Sequence, residues 1–250
     1  MTRARRAALV ASALACVAVA GAWLAIATTP VPSFDAVRAA HRPTDVPLLD
    51  RHGAIVHELR TDPRERRLAW TPLPDVAPVV VDAVIAAEDR RFRAHRGVDV
   101  RARLGAALDR LAGRGRGAST ITMQVAALVD RSLARRGRAR TVRQKARQMR
   151  VALALERRWS KDEILEAYLN GVAFRGELRG IAAAAAFLYG KAPHGLDAAE
   201  TVTLAALVQS PNAAAPVVAR RAAHVAAASG SSADPAALAA ATTRLGDPER

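Results

Sequence analysis

An uncharged run near the N-terminus constrains this chain more than any other feature. It covers twenty-one residues, 7–27, and follows directly after Arg3, Arg5 and Arg6. A helix of that length can cross a hydrocarbon core of roughly 30 Å. The sequence therefore predicts one transmembrane helix ahead of the folded part of the chain.

The basic flank of this run indicates its orientation, because positive residues stay on the cytoplasmic side of a membrane. We predict a signal-anchor over residues 1–28. The protein would then be a single-pass protein of the inner (cytoplasmic) membrane with its main domain in the periplasm. A cleaved signal peptide is the alternative, since Ala25-Ile26-Ala27 fits a cleavage site.

The charge of the chain narrows the class of partner. Its 38 Lys and Arg outnumber 23 Asp and Glu, which gives a formal net charge of +15 and predicts attraction to polyanions. A domain outside the cytoplasm does not meet nucleic acid, so we expect anionic headgroups and phosphorylated lipids instead. Cys16 is the single cysteine, so neither an intrachain disulfide nor a cysteine metal site is expected.

Composition and periodicity divide the rest of the chain. Prolines over residues 29–44 predict an extended stalk, and two short apolar runs within 46–60 predict a β-hairpin. From Val79 onward the apolar spacing is helical. We therefore expect one mainly α domain over 45–215, followed by an Ala-rich tail, 216–250, that is a marginal helix or disordered and carries no chemistry.

Side chains typical of helix N-caps mark three helix starts. They are Ser119, before a helix over 120–134, and two capping boxes, Ser160 with Glu163 and Asp197 with Glu200.

The stretch AVIAAEDRRFRAHRGVD, 83–99, is the first candidate site. Glu88 lies at the end of an apolar helix, where desolvation would raise its pKa and suit it to general acid or base catalysis. Taken singly, Glu88 and Asp89 are an ordinary charged helix end, Phe92 is a core anchor and His95 is a structural histidine. The joint spacing of these residues with Gly97 favours a functional site.

The stretch RGRGASTITMQ, 114–124, is the second candidate. Ser119, Thr120, Thr122 and Gln124 surround a predicted helix N-terminus, where backbone N–H groups favour an anion. A third stretch follows at 131–150, where nine residues are Arg or Lys and none is acidic. Such a run is usually a solvated surface, but next to an anion-binding helix start it predicts a clamp for a diphosphate.

These stretches resemble glycosyltransferase family 51, the peptidoglycan glycosyltransferase domain of class A penicillin-binding proteins. Its motif E-D-x-x-F-x-x-H-x-G is matched from Glu88 to Gly97, and G-x-S-T-I-T-x-Q is matched from Gly117 to Gln124. The segment SKDEILEAYLN, 160–170, also resembles the family, and the resemblance covers about 45–215.

Three short segments resemble those of the penicillin-binding protein 1C subgroup, whose members normally continue into a transpeptidase domain. These segments are RGASTITMQ, FRGELRG and GKAPHGLD. The chain contains no S-x-x-K motif, so no penicillin-reactive serine of the usual kind is expected in it.

One position departs from the family pattern. Counting back from Glu156 aligns the family motif R-K-x-x-E with residues 144–148. Lys145 is retained, whereas Gln144 replaces the arginine and Gln148 replaces the glutamate. The replacement argues against a mechanism that uses two glutamates.

The resemblance implies a mostly helical, lysozyme-like domain with a small jaw against the membrane. It implies that lipid II is polymerised into glycan strands and that undecaprenyl diphosphate is released with inversion. Glu88 would be the general base on the acceptor hydroxyl. Asp89, His95 and Gly97 would hold the local geometry, with Phe92 packed beneath them.

On the donor side, the resemblance implies that Ser119, Thr120 and Gln124 line the site, while Lys145 and Arg140 neutralise the diphosphate. No cofactor is expected to be required. Mg²⁺ or Mn²⁺ would assist at the diphosphate, without a dedicated protein metal site. The expected partners are lipid II, the growing glycan strand, the membrane and other cell-wall synthesis proteins.

Two alternatives stay open from the sequence. A lysozyme-like peptidoglycan hydrolase also uses one glutamate on a helical fold, although it has little use for a basic stripe. A non-catalytic, membrane-anchored scaffold that binds lipid II is the second alternative, because Gln148 replaces the family glutamate.

Overall fold

The computed structural model describes residues 3–102, 119–133 and 141–246. Most of these residues are helical, which confirms the predicted mainly α class. The helices are α1 (Arg3–Ala27), α2 (Phe34–Ala40), α3 (Pro78–Glu88), α4 (Ile121–Val129), α5 (Val142–Leu155), α6 (Lys161–Gly171), α7 (Ile181–Tyr189), α8 (Ala198–Val208), α9 (Ala215–Ser229) and α10 (Pro235–Thr243).

The predicted hairpin is confirmed as an antiparallel pair, β1 (Asp45–Leu49) and β2 (Ile55–Arg60). The carboxylate of Asp50 closes its turn by accepting the backbone N–H groups of His52 and Ala54 at 2.8 and 2.9 Å. Gly53 has φ +84° there, a conformation that favours glycine.

The first helix is long and apolar enough to cross a membrane. Its segment Leu9–Ala27 has a mean hydropathy of 2.3, and none of that apolar window is buried against the rest of the protein. Such a surface suits lipid rather than a packed core. Length and composition therefore agree with a membrane-anchored chain.

The prediction of an extended stalk is wrong. The segment contains α2, whose N-cap Ser33 accepts the backbone N–H of Ala36. The ring of Phe34 packs edge-on against Trp70 and Trp159, with centroids 6.0 and 5.5 Å away. The indole of Trp159 also donates to the carbonyl of Pro32 at 3.1 Å. These contacts order a segment whose proline content alone indicated an extended chain.

Two groups of helices form the core. In one, α3, α8 and α9 pack together with α10; in the other, α4 packs on α5 and α6. Helix α8 is buried from Ala199 to Val208, and its many small residues allow neighbouring helices to approach closely. The two groups place the end of α3 beside the start of α4.

The described part of the Ala-rich tail, residues 216–246, is ordered, which resolves the alternative between marginal helix and disorder for these residues. It supplies α9 and α10 to the first group of helices. Val218 and Ala222 are fully buried one helical turn apart, and Leu238 of α10 is buried as well. Apolar residues at helical spacing therefore give this alanine-rich segment a core-facing stripe.

Both predicted capping boxes, at Ser160 and Asp197, are confirmed. The prediction that Ser119 caps a helix over 120–134 is wrong. The cap is Thr120, whose hydroxyl accepts the N–H of Met123, and the helix covers Ile121–Val129. The hydroxyl of Ser119 instead accepts a hydrogen bond from Lys145.

Candidate active site

The end of α3 places Glu88 at the boundary between core and surface. Val80 and Val84 bury one face of the helix against its neighbours. The helix stops at Asp89, its C-cap, which takes a non-helical conformation with φ −160° and ψ 75°. Glu88 is therefore held half-buried on a rigid element.

Asp89 joins the first candidate stretch to the second. Its buried carboxylate accepts the Nε2–H of His95 at 2.8 and 3.0 Å and the backbone N–H of Ile121 at 3.1 Å. Because Gly97 N–H donates to Nδ1 of His95, the ring proton lies on Nε2. The carboxylate also lies favourably at the positive N-terminus of α4.

Gly97 completes this junction through its backbone. Its φ is +90°, and a Cβ atom there would lie 2.9 Å from the carbonyl oxygen of Ala152 on α5. The hydroxyl of Thr120 donates to the Gly97 carbonyl at 2.6 Å. Phe92 is fully buried with its ring edge-on to His95 at 6.3 Å. These residues therefore fix the geometry around Glu88.

We expect Gly97→Ala to destabilise the protein by about 1 to 3 kcal/mol, because the added Cβ combines a strained φ with a backbone clash. Urea unfolding followed by circular dichroism measures the change. Gly53→Ala is the matched control, since it has φ +84° but nothing within 4 Å of its Cβ. Equal losses from the two variants would contradict the clash.

Gln124 on α4 orients Glu88. Its Nε2 donates to Glu88 Oε2 at 2.7 Å, and its Oε1 lies 3.5 Å from the hydroxyl of the fully buried Tyr168. Burial raises the pKa of Tyr168 well above its usual range, so this hydroxyl stays protonated and can donate. The amide of Gln124 is thereby oriented with its nitrogen toward Glu88.

The environment of Glu88 favours its neutral form. Burial raises the pKa of its carboxyl above the usual value, and the charge of Asp89 adds to this, while the Gln124 hydrogen bond opposes it. Its second oxygen, Oε1, is buried and forms no hydrogen bond of normal geometry among the described residues. Gln209 and Tyr168 nevertheless lie close enough to the carboxyl to oppose the rise of its pKa. A carboxylate with one oxygen oriented and the other without such a hydrogen bond suits proton abstraction.

Lys145 on α5 lies beside the start of α4. Its Nζ donates to Ser119 Oγ at 2.7 Å and to Gln148 Oε1 at 3.3 Å. Gln148 is buried, and its Nε2 donates to the carbonyl of Met123. Ser119, just before α4, therefore contacts this cation, while Gln124 within α4 contacts Glu88.

Two residues of the predicted basic and polar stretches, Arg140 and Thr122, are not seen at the candidate site. Arg140 lies outside the described residues. Thr122 faces the interior rather than the site, since it is fully buried and donates to Glu156 at 2.6 Å. Lys161 donates to the same carboxylate at 2.7 Å and to the carbonyl of His95 at 2.6 Å. Thr122 therefore belongs to a structural network behind the site.

Comparison with known proteins identifies the family. A family model described as Transglycosylase matches residues 52–230. The chain belongs to the transglycosylase family. Its domain is therefore, at the level of the family, a peptidoglycan glycosyltransferase, and the predicted resemblance is confirmed.

Curated relatives of this transglycosylase chain are penicillin-binding proteins. Penicillin-binding protein 2D of Bacillus subtilis (strain 168) is 38% identical over 151 residues, which is 60% of this chain and 21% of that protein. Penicillin-binding protein 1A/1B of the same strain is 34% identical over 197 residues, 77% of this chain and 20% of the relative. Penicillin-binding protein 1C of Escherichia coli (strain K12) is 36% identical over 203 residues, which cover 77% of this chain and 26% of that protein. The matched region thus spans about a quarter or less of each relative.

Sequence reasoning missed the roles of three residues in this transglycosylase domain. Gln144, at the position of the family arginine, forms a capping box with Thr141. The pattern Thr-x-x-Gln is a signal that could have identified it. Tyr168 and Gln209 lie near Glu88 only through tertiary packing, and no local pattern marks them.

The described residues do not supply a protein metal site. No group of three or more His, Cys, Asp or Glu side chains in that part of the chain is arranged to hold a metal ion. Among the described residues, Lys145 donates to the side-chain oxygens of Ser119 and Gln148, which are both neutral. Mg²⁺ prefers carboxylates together with substrate phosphates, so these protein groups do not fit a resident ion.

Proposed function

We propose that this transglycosylase domain polymerises lipid II into glycan strands and releases undecaprenyl diphosphate with inversion. The observation that carries the proposal is the half-buried Glu88, oriented by Gln124 and with one oxygen that forms no normal hydrogen bond among the described residues. Lys145, which donates to Ser119 just before α4, provides a cation for a leaving diphosphate.

In the proposed reaction, Glu88 takes the proton of the acceptor's 4-hydroxyl on N-acetylglucosamine. The oxygen attacks the anomeric carbon of the donor's N-acetylmuramic acid and forms the new glycosidic bond. The bond from that carbon to the diphosphate oxygen breaks, and its electron pair leaves with undecaprenyl diphosphate. One carboxylate is sufficient, so the absence of a second glutamate at Gln148 does not prevent the step.

Lys145 would neutralise the charge that develops on the diphosphate, aided by Arg140, whose role rests on the family resemblance alone. Ser119 and Gln148 hold the ammonium of Lys145 by hydrogen bonds at 2.7 and 3.3 Å. A cation that is positioned in advance stabilises a transition state without reorganisation during the reaction. The proposed reaction therefore does not require a divalent cation.

The proposed location follows from α1. We place the protein in the inner membrane as a single-pass chain, with the basic N-terminus in the cytoplasm and the domain in the periplasm. There the domain meets a lipid substrate that is confined to the bilayer. Recruitment of other cell-wall synthesis proteins is part of the same proposal.

The deciding experiment incubates membrane-extracted protein with purified lipid II and, separately, with finished peptidoglycan. Lengthening glycan from lipid II supports the proposal. Soluble fragments from finished wall would favour a hydrolase, and binding of lipid II without turnover would favour a scaffold.

We expect the acidic limb of the pH profile of kcat/KM to move to higher pH in Gln124→Leu. The active form of Glu88 is the carboxylate, so activity rises as pH passes upward through its pKa. The Gln124 hydrogen bond lowers that pKa, and its loss raises it further. An unmoved limb in Gln124→Leu would contradict the assignment of this limb to Glu88.

We expect deletion of residues 1–28 to leave a folded domain whose turnover of membrane-bound lipid II falls at least about tenfold, because the enzyme loses its high effective concentration at the bilayer. Circular dichroism and initial rates on lipid II in vesicles measure both effects. A water-soluble, short-chain lipid II analogue is the control and should be used equally well by both proteins. Global unfolding of the truncated protein would show that α1 belongs to the core.

A further inference from the structure

A cavity of about 200 Å³ lies between α3, α8 and α9, next to the candidate active site. Its polar lining is Arg90, Gln209, Arg221 and His224. No carboxylate of the described residues lines it. Its volume is sufficient for an oxyanion such as a phosphate group.

Among the described residues, the cations of this cavity have no anionic partner. Nη1 of Arg221 is buried and has no hydrogen-bond partner in that same part of the chain. Within the part of the chain that the structure describes, neither Arg90 nor Arg221 forms an ion pair. His224 donates Nδ1–H to the carbonyl of Arg220 at 2.7 Å, which leaves its Nε2 for another contact. Cations placed close together without a counter-charge repel one another, and a bound anion would relieve this.

The cavity adjoins Glu88 through Gln209 and the end of α3. Gln209, which lines it, donates to the carbonyl of Ala87 at 2.9 Å, directly beside Glu88 in the chain. Lys145 approaches instead from α5, through the start of α4. The two arginines of the cavity therefore come from just after the end of α3 and from α9, whereas Lys145 belongs to α5.

We propose that this cavity binds the diphosphate of the acceptor lipid II. The inference rests on the proposed function, in which both reacting molecules carry a diphosphate. One diphosphate leaves from the donor and is assigned to Lys145, whereas the other stays attached to the acceptor and needs its own cations. Guanidinium groups suit this task, because they bind phosphate oxygens in a bidentate manner.

The first test measures kinetics with a preformed lipid-linked tetrasaccharide as saturating donor and lipid II as the varied acceptor. Arg90→Ala and Arg221→Ala should raise the KM for lipid II at least about tenfold and leave kcat within about threefold, the loss expected for a charged hydrogen bond. Arg220→Ala, on the same helix but outside the cavity, is the matched control and should match the wild type. Arg221→Lys retains the charge and serves if Arg221→Ala fails to fold.

The second test titrates inorganic diphosphate by calorimetry and needs no turnover. The wild type should bind at two sites, of which Lys145→Ala removes one and Arg90→Ala the other. If the wild type polymerises lipid II but Arg90→Ala and Arg221→Lys have the wild-type KM for lipid II, the cavity is not the acceptor diphosphate site. The proposed function would then stay intact. The proposal is also overturned if Arg90→Ala removes a diphosphate site but leaves the KM for lipid II unchanged. The cavity would then bind only the free diphosphate ion.

A wild type that does not polymerise lipid II overturns the proposed function and, with it, the acceptor assignment. The titration then still separates the two failures. If Arg90→Ala removes one diphosphate site from an inactive wild type, the error lies in the reaction and the anion site in the cavity stands. A wild type with a single site, removed by Lys145→Ala, overturns the cavity as an anion site whether or not the protein polymerises.

Discussion

Glu88→Gln is expected to abolish polymerisation of lipid II while lipid II binding stays nearly unchanged. A general base acts mainly in the transition state and contributes typically about 10² to 10⁴ in rate. Glutamine has the same shape and can still accept from Gln124, but it cannot take a proton. Single-turnover rates and equilibrium binding to lipid II in detergent measure the two quantities separately.

Stability provides the control for this variant. The pKa of Glu88 is raised in the folded protein, so ionisation of the carboxyl opposes folding once pH rises through the folded pKa. Glutamine removes that penalty, and Glu88→Gln should be at least as stable as the wild type at neutral pH. A stable variant that polymerises at half the wild-type rate would end the assignment of Glu88 as the base.

The sequence was sufficient to predict that Glu88, Asp89, His95 and Gly97 come together, because they lie close in the chain, from the last residue of α3 to the turn that follows it. Their relative positions depend on local geometry, namely the end of α3 and the positive φ of Gly97. The β-hairpin is also local, since its two strands are joined by a tight turn. Structural features formed by residues that are close in the chain can be predicted from the spacing of residue types alone.

Features that depend on distant residues could not be predicted in this way. Ser119 and Thr120 are equally good N-caps by type, and the presence of Lys145, which engages Ser119, distinguishes them in the folded protein. Helix α2 is held in a proline-rich segment by Trp70 and Trp159. The cavity beside Glu88 depends on α9, a segment whose composition gave no sign of a site.

The native enzyme is expected to be active with only weak dependence on divalent metal, and Gln148→Glu is expected to lower turnover at least about tenfold in the presence of a chelator. Nε2 of Gln148 donates to the carbonyl of Met123, and its Oε1 accepts from Lys145. A glutamate cannot donate to that carbonyl unless it is protonated. As a carboxylate, it would pair with Lys145 and weaken the attraction of that cation for the diphosphate, at a cost comparable to a charged hydrogen bond.

Added Mg²⁺ or Mn²⁺ should restore much of the lost turnover in Gln148→Glu, because a carboxylate and a substrate diphosphate together suit such an ion. Initial rates with chelator and with each metal, for wild type and variant, measure this dependence. Gln144→Glu is the matched control: it adds the same charge at an exposed position of α5, where glutamate also completes a capping box. If the native protein is inert and Gln148→Glu polymerises lipid II, the scaffold hypothesis is favoured. The native chain would then lack a carboxylate that catalysis requires at this position.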